Sequence, residues 1–254
     1  MISIVMSYFN RKRQLRHTLN TIAQSKIKDY EIIIVEDFCD EDQYLTTIHE
    51  EFPNLPIRLI RMMDRLPKKN YCNPCIPYNV GLRASRGDKI IIQNPECCHQ
   101  GDVLAHVDQY LTDSNYLSFH CYSANKDETR AIQRNEPWAM FSGKKSRWYN
   151  HITERPYGYH FCNALTRANL AKLNGFDERF ANGHDMDDVD LIHRVVKLGL
   201  TLDFVADPWV IHQSHPKTYD NPHNPPVSTD NRALWAEIKE NLQVRAHAED
   251  ICGI

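Results

Sequence analysis

The sequence predicts a single α/β domain, a mainly parallel sheet flanked by helices, followed by a C-terminal helical extension. Three observations carry that prediction. Short apolar runs rich in β-branched residues recur at 2–7, 31–36, 57–62 and 89–93, the pattern of strands buried on both faces. Segments of helical period lie between them, and strands that alternate with helices pair in parallel. A chain of 254 residues is long enough for one substantial core, and neither an internal repeat nor a second apolar core divides it.

Taken in order, Ile2-Ser3-Ile4-Val5-Met6-Ser7 reads as the first strand. After Asn10 the period changes: Leu15, Leu19, Ile22 and Ala23 recur at helical spacing, which predicts an amphipathic helix over 11–25. Residues 31–36 form the second strand, 41–51 a helix, 57–62 a third strand and 77–85 a further helix. The fourth strand, 89–93, is stopped by Asn94-Pro95. Beyond it, 101–111 reads as helix and 116–122 as strand. Residues 125–160 carry Trp138, Trp148, Tyr149, Tyr157 and Tyr159 without clear periodicity. So long an irregular stretch is expected to be a functional loop, with 138–160 as an aromatic wall over a ligand. Helical spacing returns over 188–198 through Leu191, Ile192, Val195 and Val196, and Gly199 ends it. Pro216, Pro222, Pro225 and Pro226 mark a linker before a helix over 231–245.

The net charge of −3 supplies no global positive field for nucleic acid or anionic lipid. The first apolar run is too short for a signal peptide core, and nothing later approaches the ~20 apolar residues of a membrane span. A cytoplasmic location is therefore expected, and the eight cysteines are expected to be reduced. Cys72-Asn73-Pro74-Cys75 is a lone CxxC. No second pair completes a zinc site, so ordinary loop cysteines are the expectation.

In parallel α/β sheets a ligand sits beyond the carboxyl ends of the strands. That rule selects 7–10, 36–40 and 94–96. A third acidic group, Asp185, Asp187, Asp188 and Asp190, opens the late helix. Aspartates at a helix N-terminus complement its dipole. Four in six residues exceed that need and would make a dense negative site that calls for a cation or a proton-transfer task.

Here several segments resemble a known family. Ser7-x-x-Asn10-Arg11 follows the first strand, Ile33-Ile34-Val35-Glu36-Asp37 closes the second, and Asn79-Val80-Gly81-Leu82-Arg83-Ala84-Ser85-Arg86-Gly87-Asp88 precedes the fourth. Gly175-Phe176-Asp177-Glu178-Arg179-Phe180 is followed by Asp187-Asp188-Val189-Asp190-Leu191 and Arg194. In that order and spacing, over roughly 2–215, they resemble glycosyltransferase family 2, whose fold is the Rossmann-like GT-A arrangement. The resemblance implies a nucleotide-binding half over 1–100 and an acceptor half over 101–215. It leaves 216–254 as a Pro-rich linker and helix.

It also implies an activity: transfer of a sugar, with inversion, from a nucleotide-sugar donor such as a UDP-sugar to a hydroxyl of a carbohydrate or glycoconjugate acceptor. A divalent metal, Mn²⁺ or Mg²⁺, would assist. Where the family usually carries Asp-x-Asp, this chain has Asn94-Pro95-Glu96. Glu96 keeps one carboxylate for the metal, adequate for an ion that also takes phosphate oxygens and water, and Asn94 faces the donor. Similar transferases return a histidine to the metal after the last core strand. His212 fits that role best, and His215 follows it. By the same resemblance Glu36 accepts a hydrogen bond from a uracil N–H, with Ser7, Tyr8, Phe9 and Asn10 along that wall. Arg11 would contact phosphate or base, and Asn79 and Arg83 would approach the pyrophosphate. Asp188 is the expected general base. Asp187 would bind hydroxyls and, by repulsion, raise the pKa of Asp188. Trp148, Tyr157 and His215 are further candidates for sugar or acceptor contacts.

Two other functions compete. A sugar nucleotidyltransferase of the same fold would want a glycine-rich phosphate loop after the first strand, and Ser7-Tyr8-Phe9-Asn10 contains no glycine. A degenerate, non-catalytic carbohydrate- or nucleotide-binding domain is the other, and Asn94 in the metal motif is its support.

Overall fold

The computed structural model describes residues 1–137, 147–216 and 223–250. Strands β1 (Ile2–Tyr8), β2 (Tyr30–Glu36), β3 (Ile57–Arg61) and β4 (Lys89–Gln93) lie in the order β3-β2-β1-β4, all parallel. Every residue of β2 is buried, as a strand covered on both faces requires. Helix α1 (Lys12–Ile22) lays Leu15, Thr18, Leu19 and Ile22 against the sheet. The expected 41–51 helix is reduced to a single 3₁₀ turn at Glu41–Gln43 and the short α2 (Ile48–Glu51). The cause is local: Leu45 N–H donates to Glu36 Oε2 at 2.6 Å and Tyr8 Oη–H to the Gln43 carbonyl at 2.8 Å, which pull the segment back onto the strand ends. Helix α3 (Cys75–Ala84) packs tightly on β1 and β2. Gly81 permits that approach, because a Cβ there would lie 2.5 Å from Val5 Cγ1.

The second half of the sheet is mixed. It comprises β5 (Cys97–Gln100), β6 (Asn115–Ser123), β7 (Trp148–Asn150), β8 (Cys162–Thr166) and β9 (Thr201–His212). The sheet continues from β4 as β8-β6-β9-β5, with β7 on the side of β6. Only β6–β9 is parallel here; β4–β8, β6–β8, β6–β7 and β5–β9 are antiparallel. The parallel pairing expected of the whole sheet thus belongs chiefly to β1–β4. The register Cys97↔His212 brings the end of β9 beside the turn that follows β4.

Helices α4 (Val103–Tyr110), α5 (Lys126–Gln133), α6 (Arg167–Leu173), α7 (Asp187–Lys197) and α8 (Asn231–Ile238) complete the described chain. The described parts of 125–160 are less irregular than expected. Asn125 and Glu128 form a reciprocal capping box that starts α5, and β7 extends the sheet. Of the predicted aromatic wall, 138–146, including Trp138, lies outside the described residues. The last helix ends at Ile238, with a 3₁₀ turn at Lys239–Asn241, earlier than the expected 245. The chain beyond that turn is bound to the domain: Ala246 N–H donates to the Leu173 carbonyl at 2.8 Å and Glu178 N–H to the His247 carbonyl at 2.9 Å. Among the described residues, no helix is long and apolar enough to cross a membrane.

Candidate functional site

A cleft of about 750 Å³ opens where the ends of β1, β2, β4 and β9 meet the start of α7. On one side is Glu96, in the turn between β4 and β5 and only 1% exposed. Its Oε1 accepts from Arg11 Nη1 at 2.7 Å and lies 3.0 Å from His212 Nε2 and 3.4 Å from His215 Nε2. Its Oε2 is buried without a partner. Burial opposes ionisation, but the Arg11 guanidinium and the two imidazoles outweigh it and hold this carboxyl well below the usual range. Burial also pulls the pKa of His212 down against the attraction of Glu96, which favours the neutral, ligating imidazole.

Glu96, His212 and His215 are the one group of metal-ligating side chains among the described residues whose ligand atoms all lie within 4.8 Å of one another. One carboxylate, two imidazoles and an unsatisfied oxygen are a donor set that could hold a divalent metal ion. Asn94 is differently engaged: its Oδ1 accepts from Tyr78 Oη–H at 2.7 Å, and its Nδ2 faces Glu96 Oε1 at 3.5 Å. The CxxC is not part of any such group. Cys75 is buried at the start of α3, and Cys72 Sγ lies 3.2 Å from the Pro225 carbonyl.

Across the cleft, the four aspartates separate into distinct environments. Asp190 is buried and paired with Arg194 at 2.7 Å, and Arg194 also donates to the carbonyls of Leu173 and Gly175. That pair ties α7 to the loop before it. Asp185 and Met186 both have positive φ, 61° and 73°, a costly conformation for consecutive non-glycine residues that turns the chain into α7 at the cleft. Asp187 Oδ1 accepts from Asn73 Nδ2 at 2.8 Å, while its Oδ2 is buried without a partner. Asp188 is half-buried, and its Oδ1 accepts from Val189 N–H at 2.8 Å. Its pKa is pushed up to about 7, by burial first and then by the neighbouring charges of Asp187 and Asp185, with the Val189 N–H opposing.

Ser7, Arg11, Asn94, Glu96, Asp187, Asp188, His212 and His215 all line the cleft, whereas several other expected residues do not. Tyr8 points into the core. Glu36 is buried, with Oε2 on Leu45 N–H and Oε1 3.3 Å from its cross-strand neighbour Arg61. The next residue, Asp37, faces the cleft instead, held by the Lys69 ammonium and by Tyr71 Oη–H. Asn10 folds back on Asp40, with Nδ2 2.7 Å from Asp40 Oδ2. Asn79 clamps α3 to the Phe176 backbone through both its amide atoms, and Arg83 reaches Glu178 at 3.7 Å. Trp148 packs with Tyr122 and Trp209 in a separate small cluster, and Tyr157 is exposed beside Tyr159.

Other residues of the cleft were not singled out individually by the sequence, although Tyr149 and Tyr159 of the expected aromatic stretch do line it. His160 packs edge-on against Tyr78 at 5.2 Å and Phe176 at 5.1 Å, its Nδ1 without a partner. Burial lowers its pKa against the charges of Asp187 and Glu96. Asn73 was visible only as filler of the CxxC. Arg155 and Tyr159 also line the cleft.

Comparison with known proteins fits this arrangement. The profile of Glycosyl transferase family 2 matches residues 3–173. An uncharacterized glycosyltransferase of Haemophilus influenzae is 25% identical over 142 residues, which is 54% of this chain and 45% of that protein. The poly(ribitol-phosphate) beta-N-acetylglucosaminyltransferase TarP of Staphylococcus aureus is 26% identical over 91 residues, 35% of this chain and 26% of TarP. The chain therefore spans less than half the length of these relatives. Among solved structures, S. aureus TarS 1–349 in complex with UDP-GlcNAc superposes with a TM-score of 0.64 at 16% identity, covering 94% of this chain and 64% of that one. Mannosyltransferase PcManGT from Pyrobaculum calidifontis, in complex with GDP-Man and Mn²⁺, superposes with a TM-score of 0.58 at 14% identity, covering 86% and 58%. At such identities the structures show a common fold, the GT-A arrangement. With the profile spanning about two thirds of its length, this chain belongs to glycosyl transferase family 2.

Proposed function

We propose that this protein transfers a sugar from a nucleotide-sugar, a UDP-sugar in the first instance, to a hydroxyl of a carbohydrate-containing acceptor, with inversion at the anomeric carbon. The observation that carries the reading is the pairing of two unlike acidic centres in one cleft. Glu96 is kept ionised beside His212 and His215, and Asp188 is poised near neutrality at the start of α7. A divalent ion held by Glu96, His212 and His215 would neutralise charge that gathers on the departing diphosphate. Asp37, beside Lys69 and Tyr71, supports a role as acceptor for a base N–H at the far end of the donor.

Asp188 takes the proton of the attacking hydroxyl. A base with a pKa near the working pH combines a sizeable ionised fraction with enough basicity to drive the transfer. Asp187, with one oxygen on Asn73 and the other free, accepts a hydrogen bond from a sugar hydroxyl and raises Asp188 through its charge. The test is Asp188→Asn, which keeps the shape and removes the proton acceptor. With a matched donor and acceptor, transfer is expected to fall about 10²–10⁴-fold while the donor dissociation constant barely moves. Near-normal transfer by this variant would end the assignment.

A further inference from the structure

Arg11 shares Glu96 with the two histidines of the candidate metal centre. Its guanidinium reaches Glu96 Oε1 at 2.7 Å, the same oxygen that faces His212 and His215. The pair is well removed from water, with the Arg11 side chain 14% exposed and that of Glu96 1%. Two polar atoms are left over inside this pair: Glu96 Oε2, an acceptor, and Arg11 Nε, a donor, both buried and without partners. A purely structural ion pair between arginine and a carboxylate tends to use both nitrogens and both oxygens in a fork. Here a single bond is made, and the two unused atoms ask for different ligands: Oε2 for a cation, Nε–H for an anion.

We propose that Arg11 is the resident counter-ion of this centre and couples metal binding to binding of the nucleoside diphosphate. The inference rests on the metal-assisted reading above. A metal ion arriving alone competes with the guanidinium for Glu96. A diphosphate arriving alone draws Arg11 away and strands a buried carboxylate without a counter-charge, which is costly. When both bind, the ion takes Glu96 and the phosphate takes the guanidinium, so each ligand removes the penalty of the other. Such coupling is reciprocal: the factor by which UDP tightens metal binding equals the factor by which metal tightens UDP binding. The pair therefore guards against a metal-loaded site without donor.

Calorimetric titration of Mn²⁺ with and without UDP, in the wild type, Arg11→Gln and Glu96→Gln, tests this without any turnover. Arg11→Gln is expected to bind Mn²⁺ alone about tenfold more tightly than the wild type, the scale of one charge-assisted hydrogen bond. In the same variant the tightening of Mn²⁺ by UDP should shrink about tenfold. Arg11→Met, similar in length and uncharged, should behave alike and serves if the glutamine variant folds poorly. Unchanged or weaker Mn²⁺ binding by the Arg11 variants, with binding lost in Glu96→Gln, overturns the coupling and leaves the metal centre standing. Wild-type Mn²⁺ binding by Glu96→Gln removes the metal centre, and the coupling with it.

Discussion

Glu96 and Asp188 line the same cleft and both lose solvent there, yet burial has opposite outcomes at the two. At Glu96 the desolvation cost is met by Arg11, His212 and His215, and the carboxylate stays ionised. At Asp188 the nearest charges, Asp187 and Asp185, have its own sign, and they add to the cost. Asp188 even sits at a helix N-terminus, where the dipole favours a negative charge. That help is too small to offset the desolvation. The difference teaches that partners, more than depth, decide what a buried acid does. One end of the cleft is built to hold a charge and the other to exchange a proton.

The metal end breaks most severely. Glu96→Gln leaves the Arg11 guanidinium without its counter-charge, and removal of one partner from a buried pair typically costs about 3–5 kcal/mol. Arg11 retains some exposure, so the low end of that range is expected, as a loss in chemical denaturation. Mn²⁺-dependent UDP binding should disappear with it. If instead a chelator leaves UDP binding by the wild type unchanged, the two ends of the cleft do not divide the labour as argued.

The proton-transfer end should announce itself in the pH profile. With saturating donor and metal, transfer is expected to rise about tenfold per pH unit up to about 7, where Asp188 ionises, and then level off. The residual activity of Asp188→Asn should lack that limb. A wild-type profile flat between pH 5 and 8 would remove Asp188 as the base.

How much of this contrast was legible in the sequence depends on where the information resides. Strands β1, β2 and β4 declare themselves, because a strand covered on both faces must be largely apolar through its middle. Strand β8, Cys162-Asn163-Ala164-Leu165-Thr166, carries a buried asparagine whose partners, Tyr116 Oη and the carbonyls of Gly158 and Tyr159, exist only in the folded chain. Another strand of the mixed half, β9, contains Pro208 and passes from an exposed start to a buried end, so neither reads as a core strand. The strand-end rule and the density of aspartates mark positions 96, 187 and 188, while their separate roles, and His212, come only through the resemblance. Glu36 and Asp37 show the limit. Successive side chains at a strand end point to opposite faces, so a one-residue choice decides which acid reaches the cleft, and no periodicity makes that choice. His160 was silent for a related reason. Its place between Tyr78 and Phe176 is a tertiary contact with no local pattern.

The contribution of Asp187 separates repulsion from burial. Asp187→Asn removes the like charge but leaves Asp188 as desolvated as before. The rising limb of the pH profile should then move to lower pH, by up to about one unit, because a neighbouring negative charge raises a carboxyl pKa. Donor or acceptor affinity should also weaken several-fold if Asp187 holds a sugar hydroxyl, as one bond to a charged group is worth about 1.5–3 kcal/mol at most. An unmoved limb would mean that burial alone sets Asp188.

The smallest effect is on stability, and its pH dependence carries the sign of the whole comparison. In the unfolded chain Asp188 titrates near its ordinary value of about 3.9; in the folded protein it titrates at about 7. Between those values the native state binds the proton more tightly than the unfolded state does. Stability therefore falls as the pH rises through this window, and the contribution of the protonated acid is gone above about 7. Asparagine does not titrate and keeps the shape. Asp188→Asn should thus match the wild type near pH 4 and exceed it increasingly up to pH 7–8, where the gap levels off. Because Asp188 is only half-buried, solvent screening reduces the gap below the full value of the shift, to on the order of 1–2 kcal/mol. For a chain of this size that is a rise of about 2–8 °C in Tm. A stability gap for Asp188→Asn that is the same at pH 4.5 and pH 8 would mean that this acid is ionised throughout, and that the two ends of the cleft differ less than their neighbours suggest.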